Sequence, residues 1–137
     1  MREYYDYHNG LAFFNIEYKG MRFVGEARCH PDDMDMESER TGLTIAEARA
    51  TIKLMKFKRN FELIPQLNIL QHLYNNICTS KYHDPKAYES KMIQSQISNI
   101  EKQIATIETD IADETKYLKE YITKKDNLYK KIRAKNQ

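Results

Sequence analysis

Residues 11–29 read LAFFNIEYKGMRFVGEARC, and this stretch decides the fold class. Leu11–Tyr18 and Met21–Cys29 both have strand-like composition. Lys19 and Gly20 between them form a two-residue turn in which Gly supplies a positive φ, so the stretch reads as a β-hairpin. Phe14, Ile16 and Tyr18 share one face of the first strand. Met21, Phe23, Gly25 and Ala27 share one face of the second, with Arg22, Val24, Glu26 and Arg28 opposite. Gly25 inside a strand marks a bulge or a close approach by another element. A lone hairpin is not stable in water. It must pack on a helix, on a third strand from residues 3–8, or on a second subunit.

Downstream of the hairpin, residues 30–43 (HPDDMDMESERTGL) have no period and read as an acidic loop. Thr44 then reads as a helix N-cap, with Glu47 completing a capping box. Ile45, Ala48, Ile52 and Met55 are spaced for one helical face. Pro65 should end or kink this helix, and Leu67, Leu70, Tyr74 and Ile77 carry the period on to about Cys78. Asp84-Pro85 reads as a second helix start. From there the apolar positions alternate by four and three through Ile93, Ile97, Ile100, Ile104, Ile107 and Ile111. The frame continues through Glu114, Leu118, Tyr121, Lys125, Leu128 and Ile132. This is a heptad seam, and it needs a partner helix, either from another subunit or from residues 45–78 folded back.

The expected fold is therefore α+β: a small N-terminal antiparallel β unit, a kinked helix and a long coiled-coil-like helix. The expected organisation is 1–43 for the β-hairpin unit and acidic loop, 44–79 for the helix pair kinked at Pro65, and 84–135 for the heptad helix. The seam predicts a homo-oligomer.

The chain has 137 residues, a net charge of +2, and 31% charged against 41% hydrophobic residues. Residues 1–79 carry a net −1 and residues 80–137 a net +3. A protein held to a phosphate backbone would be more uniformly basic, so sequence-specific nucleic acid is not an expected partner. No apolar run approaches the ~18 residues of a membrane span, and the start has no apolar signal core. Two Cys make no disulfide framework. The expected location is the cytoplasm.

Cys29, His30, Cys78 and His83 could supply two sulfurs and two nitrogens to zinc, but they lack the paired spacing of zinc sites, and no metal is expected. The acidic stretch Asp32–Glu39 lacks the order of a calcium loop and reads as solvated. No motif supports catalysis or a cofactor. The chemistry-bearing group is Arg28, His30, Arg49 and Lys53. Arg28 and His30 leave the end of the second strand. Arg49 and Lys53 lie four apart on one helix face. Together these could converge on one anion, aided by the helix N-terminus at residues 45–47. Tyr4, Tyr5, Tyr7 and Tyr82 could stack on a base. The plainer alternative is that Arg49 and Lys53 pair with surface carboxylates. If the first site fails, the basic segment Lys124–Lys135 against another subunit's hairpin is the second choice.

Gly25-x-Ala27-x-Cys29-His30-Pro31-x-Asp33, followed by Ser38-Glu39, Gly42, Ile45-Ala46-Glu47-x-Arg49-Ala50 and Ile52-Lys53, resembles a pattern in small proteins of phages that infect Gram-positive bacteria. It covers under a quarter of the chain. The layout, a small β unit followed by long helices that could interlock subunits, resembles the phage anti-Thoeris proteins that sequester cyclic ADP-ribose-type signals. The resemblance implies a non-enzymatic counter-defence protein in the host cell that holds a small nucleotide signal without turnover. The alternatives are an anti-CRISPR-type inhibitor of a host nuclease effector and a structural coiled-coil protein.

Overall fold

A computed structural model describes residues 1–29, 39–79 and 88–135. The fold is α+β, with three strands first and the helices after them. The chain forms two compact units: Met1–Met55 with Ile111–Gln137, and Lys56–Asp110.

In the first unit, β1 (Arg2–His8), β2 (Leu11–Tyr18) and β3 (Met21–Arg28) make an antiparallel meander in the order β1-β2-β3. The hairpin thus takes two of its three available partners, a third strand and a helix. Asn9 and Gly10 join β1 to β2, and Lys19 and Gly20 join β2 to β3. All four have positive φ, as type I′ turns require. Tyr7, Ala12 and Ala27 are cross-strand neighbours, as are Tyr5, Phe14 and Gly25. These side chains share the face that receives the first helix.

That helix, α1, runs Glu39–Phe57. It is already helical five residues before Thr44, so the expected capping box is not the helix start. The Thr44 hydroxyl instead donates to the Arg40 carbonyl oxygen at 2.7 Å, a back-bond inside the helix. The spacing of the large apolar residues leaves open which face meets the sheet. It is the small face, Ala46 and Ala50, together with Leu54, that packs among Ala12, Ala27, Ile16, Phe14 and Phe23. Ile45 packs at the margin of this cluster, and Ala48, Ile52 and Met55 are not among its members.

The reason is Gly25. A Cβ built there would stand 1.8 Å from the Ala46 carbonyl oxygen and 2.6 Å from the Ala50 nitrogen. The α1 backbone therefore lies directly on the strand backbone, and only small side chains fit at the crossing. The close approach read from Gly25 is this one.

After Phe57 the backbone widens into a π-helical segment, Lys58–Leu63, in which the Ile64 N–H reaches the Arg59 oxygen five residues back. The second helix, α2, follows as Ile64–Cys78, with Pro65 in its first turn. A proline there needs no N–H partner. The strain its ring puts on the preceding turn is absorbed as one wide π segment. The long helix, α3, is described over Tyr88–Lys135, 48 residues or about 72 Å at the usual rise. The Asp84-Pro85 start, Tyr82 and the acidic stretch Asp32–Glu37 lie outside the described residues.

The heptad frame holds in α3. Of its twelve positions Leu128 alone is exposed, whereas every other position from Lys91 to Glu120 is exposed. In the second unit the helix beside the first half of the seam is α2 of the same chain. Gln66, Ile69 and Leu70 share a groove with Gln96, Asn99, Ile100 and Gln103, and Gln94 Nε2 donates to Tyr74 Oη at 2.5 Å. Among the described residues no helix is long and apolar enough to cross a membrane.

Candidate anion-binding cleft

The site is built on the end of the sheet. The Cys29 N–H donates to the Gly10 oxygen at 2.8 Å, which ties the end of β3 to the β1–β2 turn. It also fixes the parity of β3. Odd residues bond toward β2, so the carbonyls of Val24 and Glu26 face the open edge of the sheet. Two cations of α1 meet that edge. Arg49 Nη1 donates to the Glu26 oxygen at 2.7 Å, and Lys53 Nζ donates to the Val24 oxygen at 2.7 Å. Neither contact is the carboxylate pairing that the plainer reading anticipates. Both satisfy main-chain acceptors that an edge strand otherwise leaves to water or to another chain.

Above this edge lies a cleft of about 170 Å³ within the first unit. Tyr7, Gly10, Ala27, Arg28 and Cys29 form its floor. Thr41, Gly42, Ile45 and Arg49, one face of α1, form one wall. Ile122, Lys125, Asp126 and Tyr129, one face of α3, form the other. Gly42 keeps the first wall low over the sheet, since a Cβ there would come within 3.1 Å of Ala12 Cβ and 3.6 Å of the Tyr7 ring.

Of the four residues expected to form the site, Arg28 and Arg49 line this cleft. Lys53 does not, being held at Val24, and His30 lies outside the described residues. Residues 45–47 are interior to α1, so their N–H groups are not the open helix end that the sequence reading places there. Among the tyrosines, Tyr7 lines the cleft. Tyr4 faces the other side of the sheet, where its hydroxyl donates to Glu17 Oε1 at 3.1 Å. Lys125 and Tyr129 come from the segment Lys124–Lys135 that was the second choice, but here they belong to the same chain as the hairpin.

Among the described residues the cleft lining therefore includes three cationic residues, Arg28, Arg49 and Lys125, and one carboxylate residue, Asp126. Arg28 lies in register with His8 and Leu11, on the sheet face opposite Tyr7 and Ala27, and is exposed. The Arg28 guanidinium has no hydrogen-bond or ion-pair partner among the described residues. Arg49 uses one of its five N–H donors on Glu26. Lys125 Nζ stands 5.5 Å from the centre of the Tyr121 ring. Such a set can hold a dianion by charge-assisted, forked hydrogen bonds. Neither Cys29 nor Cys78 is in a disulfide. Among the described residues no group of three or more His, Cys, Asp or Glu could hold a metal.

No known family, curated protein or solved structure matches the chain. The reading of the cleft rests on its own geometry.

Proposed function

We propose that the chain binds a small phosphate-bearing ligand of nucleotide type in this cleft and holds it without turnover. The observation that carries this reading is that Arg28, Arg49 and Lys125, from three separate elements, are among the residues lining one cleft that also has tyrosines on two sides. Cations from one element make a solvated face. Cationic residues contributed by a strand end and two helices, with one carboxylate among the described lining residues, concentrate positive potential where a phosphate can enter. Tyr7 and Tyr129 supply ring surface for a sugar or base. Among the described lining residues, one carboxylate stands without a histidine, which suits holding an anion better than acid–base chemistry.

Volume bounds the occupant. Small-molecule pockets begin at about 300 Å³, so a cleft of about 170 Å³ takes a phosphoryl group and part of its sugar. The rest of a larger cyclic nucleotide would lie outside it. On this reading, together with the resemblance of the Gly25–Lys53 pattern, the protein acts inside a host cell in phage counter-defence, as a sink for a cyclic-nucleotide-type immune signal.

The test is calorimetric titration with cyclic ADP-ribose isomers, cyclic di- and trinucleotides and inorganic phosphate. At least one nucleotide should bind the wild type. Arg28→Ala should weaken it about ten- to a hundredfold, and Lys53→Ala should leave it unchanged. If no nucleotide binds, the reading fails and inhibition of a host defence protein takes its place. If binding survives Arg28→Ala, Arg49→Ala and Lys125→Ala alike, the ligand sits elsewhere.

A further inference from the structure

We infer that the face shared by α2 and the first half of α3 is a self-association surface, covered by the same face of a second copy of the chain. The first observation is the charge of α2. Its 15 residues, IPQLNILQHLYNNIC, contain no Asp, Glu, Lys or Arg, in a chain that is 31% charged. A helix with one face on a neighbour and one in water ordinarily carries charge on the outer face. An uncharged helix is expected where both faces are covered, yet within one chain Ile69 is 62% exposed and Leu73 45% exposed.

The second observation is that α3 matches it. Met92, Gln96, Asn99 and Gln103 follow one another along the flank of α3 beside Ile69, at spacings of four, three and four, and none is charged. Met92 is 45% exposed. Between the two helices, groove residues from both leave an open space of about 430 Å³, room for a large side chain from outside. The flank is therefore apolar at its α2 edge and rich in amides on α3.

The chemistry selects the occupant. A partner chosen by charge would find nothing here to pair with. A second copy meets no like-charge repulsion. The Gln and Asn amides each carry donors and an acceptor, so they can pair with themselves across a twofold axis. The exposed parts of Ile69, Leu73, Met92 and the adjoining Tyr88 amount to roughly 400 Å² per copy. The flanking amides and half-covered isoleucines bring two such faces toward the roughly 1,200 Å² at which stable interfaces begin. The result is two helix pairs packed as a four-helix layer. The seam Ile93–Ile107 lies inside each pair, and the flank lies between them.

The test is sedimentation of the full chain from about 1 to about 100 µM, a range that spans ordinary homodimer affinities. The wild type should reach twice the 16.3 kDa of one chain. Ile69→Lys and Leu73→Lys change exposed side chains, so each should keep its helical circular dichroism while association weakens at least about tenfold. Lys131→Ala, outside this face, should associate as the wild type does. A wild type that stays at the mass of one chain up to the highest concentration overturns the proposal and leaves the face to a different protein. Lysine variants that associate as tightly as the wild type also overturn it, because assembly then uses another surface. None of these outcomes depends on nucleotide binding.

Discussion

Arg49 on α1 donates a hydrogen bond to the main-chain oxygen of Glu26 on β3, 2.7 Å away, while lining the cleft beside Arg28. One residue thus closes a strand edge and faces a candidate anion site. Lys53, one turn further along, does only the first of these at Val24. The difference separates two roles that the i, i+4 spacing makes look alike.

Lys53→Met should lower stability by about 0.5–1.5 kcal/mol, the range for one hydrogen bond at an exposed position. It should leave ligand affinity unaltered. Arg49→Met should show a comparable loss of stability and a loss of affinity as well. Urea denaturation beside calorimetry separates the two. Equal effects of both variants on affinity would show that the edge contact, and not the cleft, governs binding.

Gly25→Ala should be among the most damaging single substitutions in the chain. Its Cβ would press on the Ala46 and Ala50 backbone, which cannot rotate away as a side chain could. The expected cost is about 3 kcal/mol or more, at the upper end of overpacking effects. Thermal unfolding would register it as a large drop in Tm. A change near zero would mean that α1 is free to lift from the sheet.

Thr44→Ala distinguishes a cap from a back-bond. Loss of a true cap costs about 1 kcal/mol. Removing a back-bonded threonine from a helix interior should change stability by less than about 0.5 kcal/mol, with alanine the better helix former. Denaturation midpoints of the two proteins decide between them.

Tyr74 gives a pH prediction. Its hydroxyl is held above the ordinary tyrosine value, first by a hydrogen bond with the Cys78 side chain and then by desolvation, with Gln94 pulling the other way. The folded state therefore keeps this proton more tightly than the unfolded chain does. The stabilisation is complete below the unfolded value of about 10 and is lost as pH rises through the higher folded value. The stability difference between wild type and Tyr74→Phe should accordingly shift against the wild type between pH 8 and pH 11. A difference that is constant with pH would remove the Cys78 contact from the account.

Much of this architecture is written locally. Lys19-Gly20 specifies its hairpin, and Asn9-Gly10 is an equally direct signal for the turn that makes residues 2–8 a strand. The heptad frame of α3 survives intact because apolar spacing is a property of one segment. The start of α1 misleads because Thr44 and Glu47 have the capping-box order without the capping geometry. The sheet-facing side of α1 is hard to read in the sequence for a different reason. Large residues at 45, 52 and 55 dominate a hydrophobicity count, whereas contact distance at Gly25 selects the small Ala46 and Ala50 for the crossing, with Ile45 only at its margin. The acceptors of Arg49 and Lys53 are main-chain oxygens, which leave no mark in the residue alphabet. Lys125 and Tyr129 join the cleft only through tertiary closure, and no pattern near Arg28 announces them.

The discontinuity of the first unit has a consequence for biogenesis. The floor of the cleft and one wall come from residues 7–49, so they leave the ribosome early and can assemble through short-range contacts. The other wall, residues 122–129, is synthesised roughly seventy residues later. During translation the nascent sheet and α1 therefore exist for several seconds, at roughly 5–20 residues per second, with the Ile45 side of α1 uncovered. A ligand that needs Lys125 cannot be captured in that interval. On the proposed function, binding competence arrives only once residues 122–129 of α3 have been made.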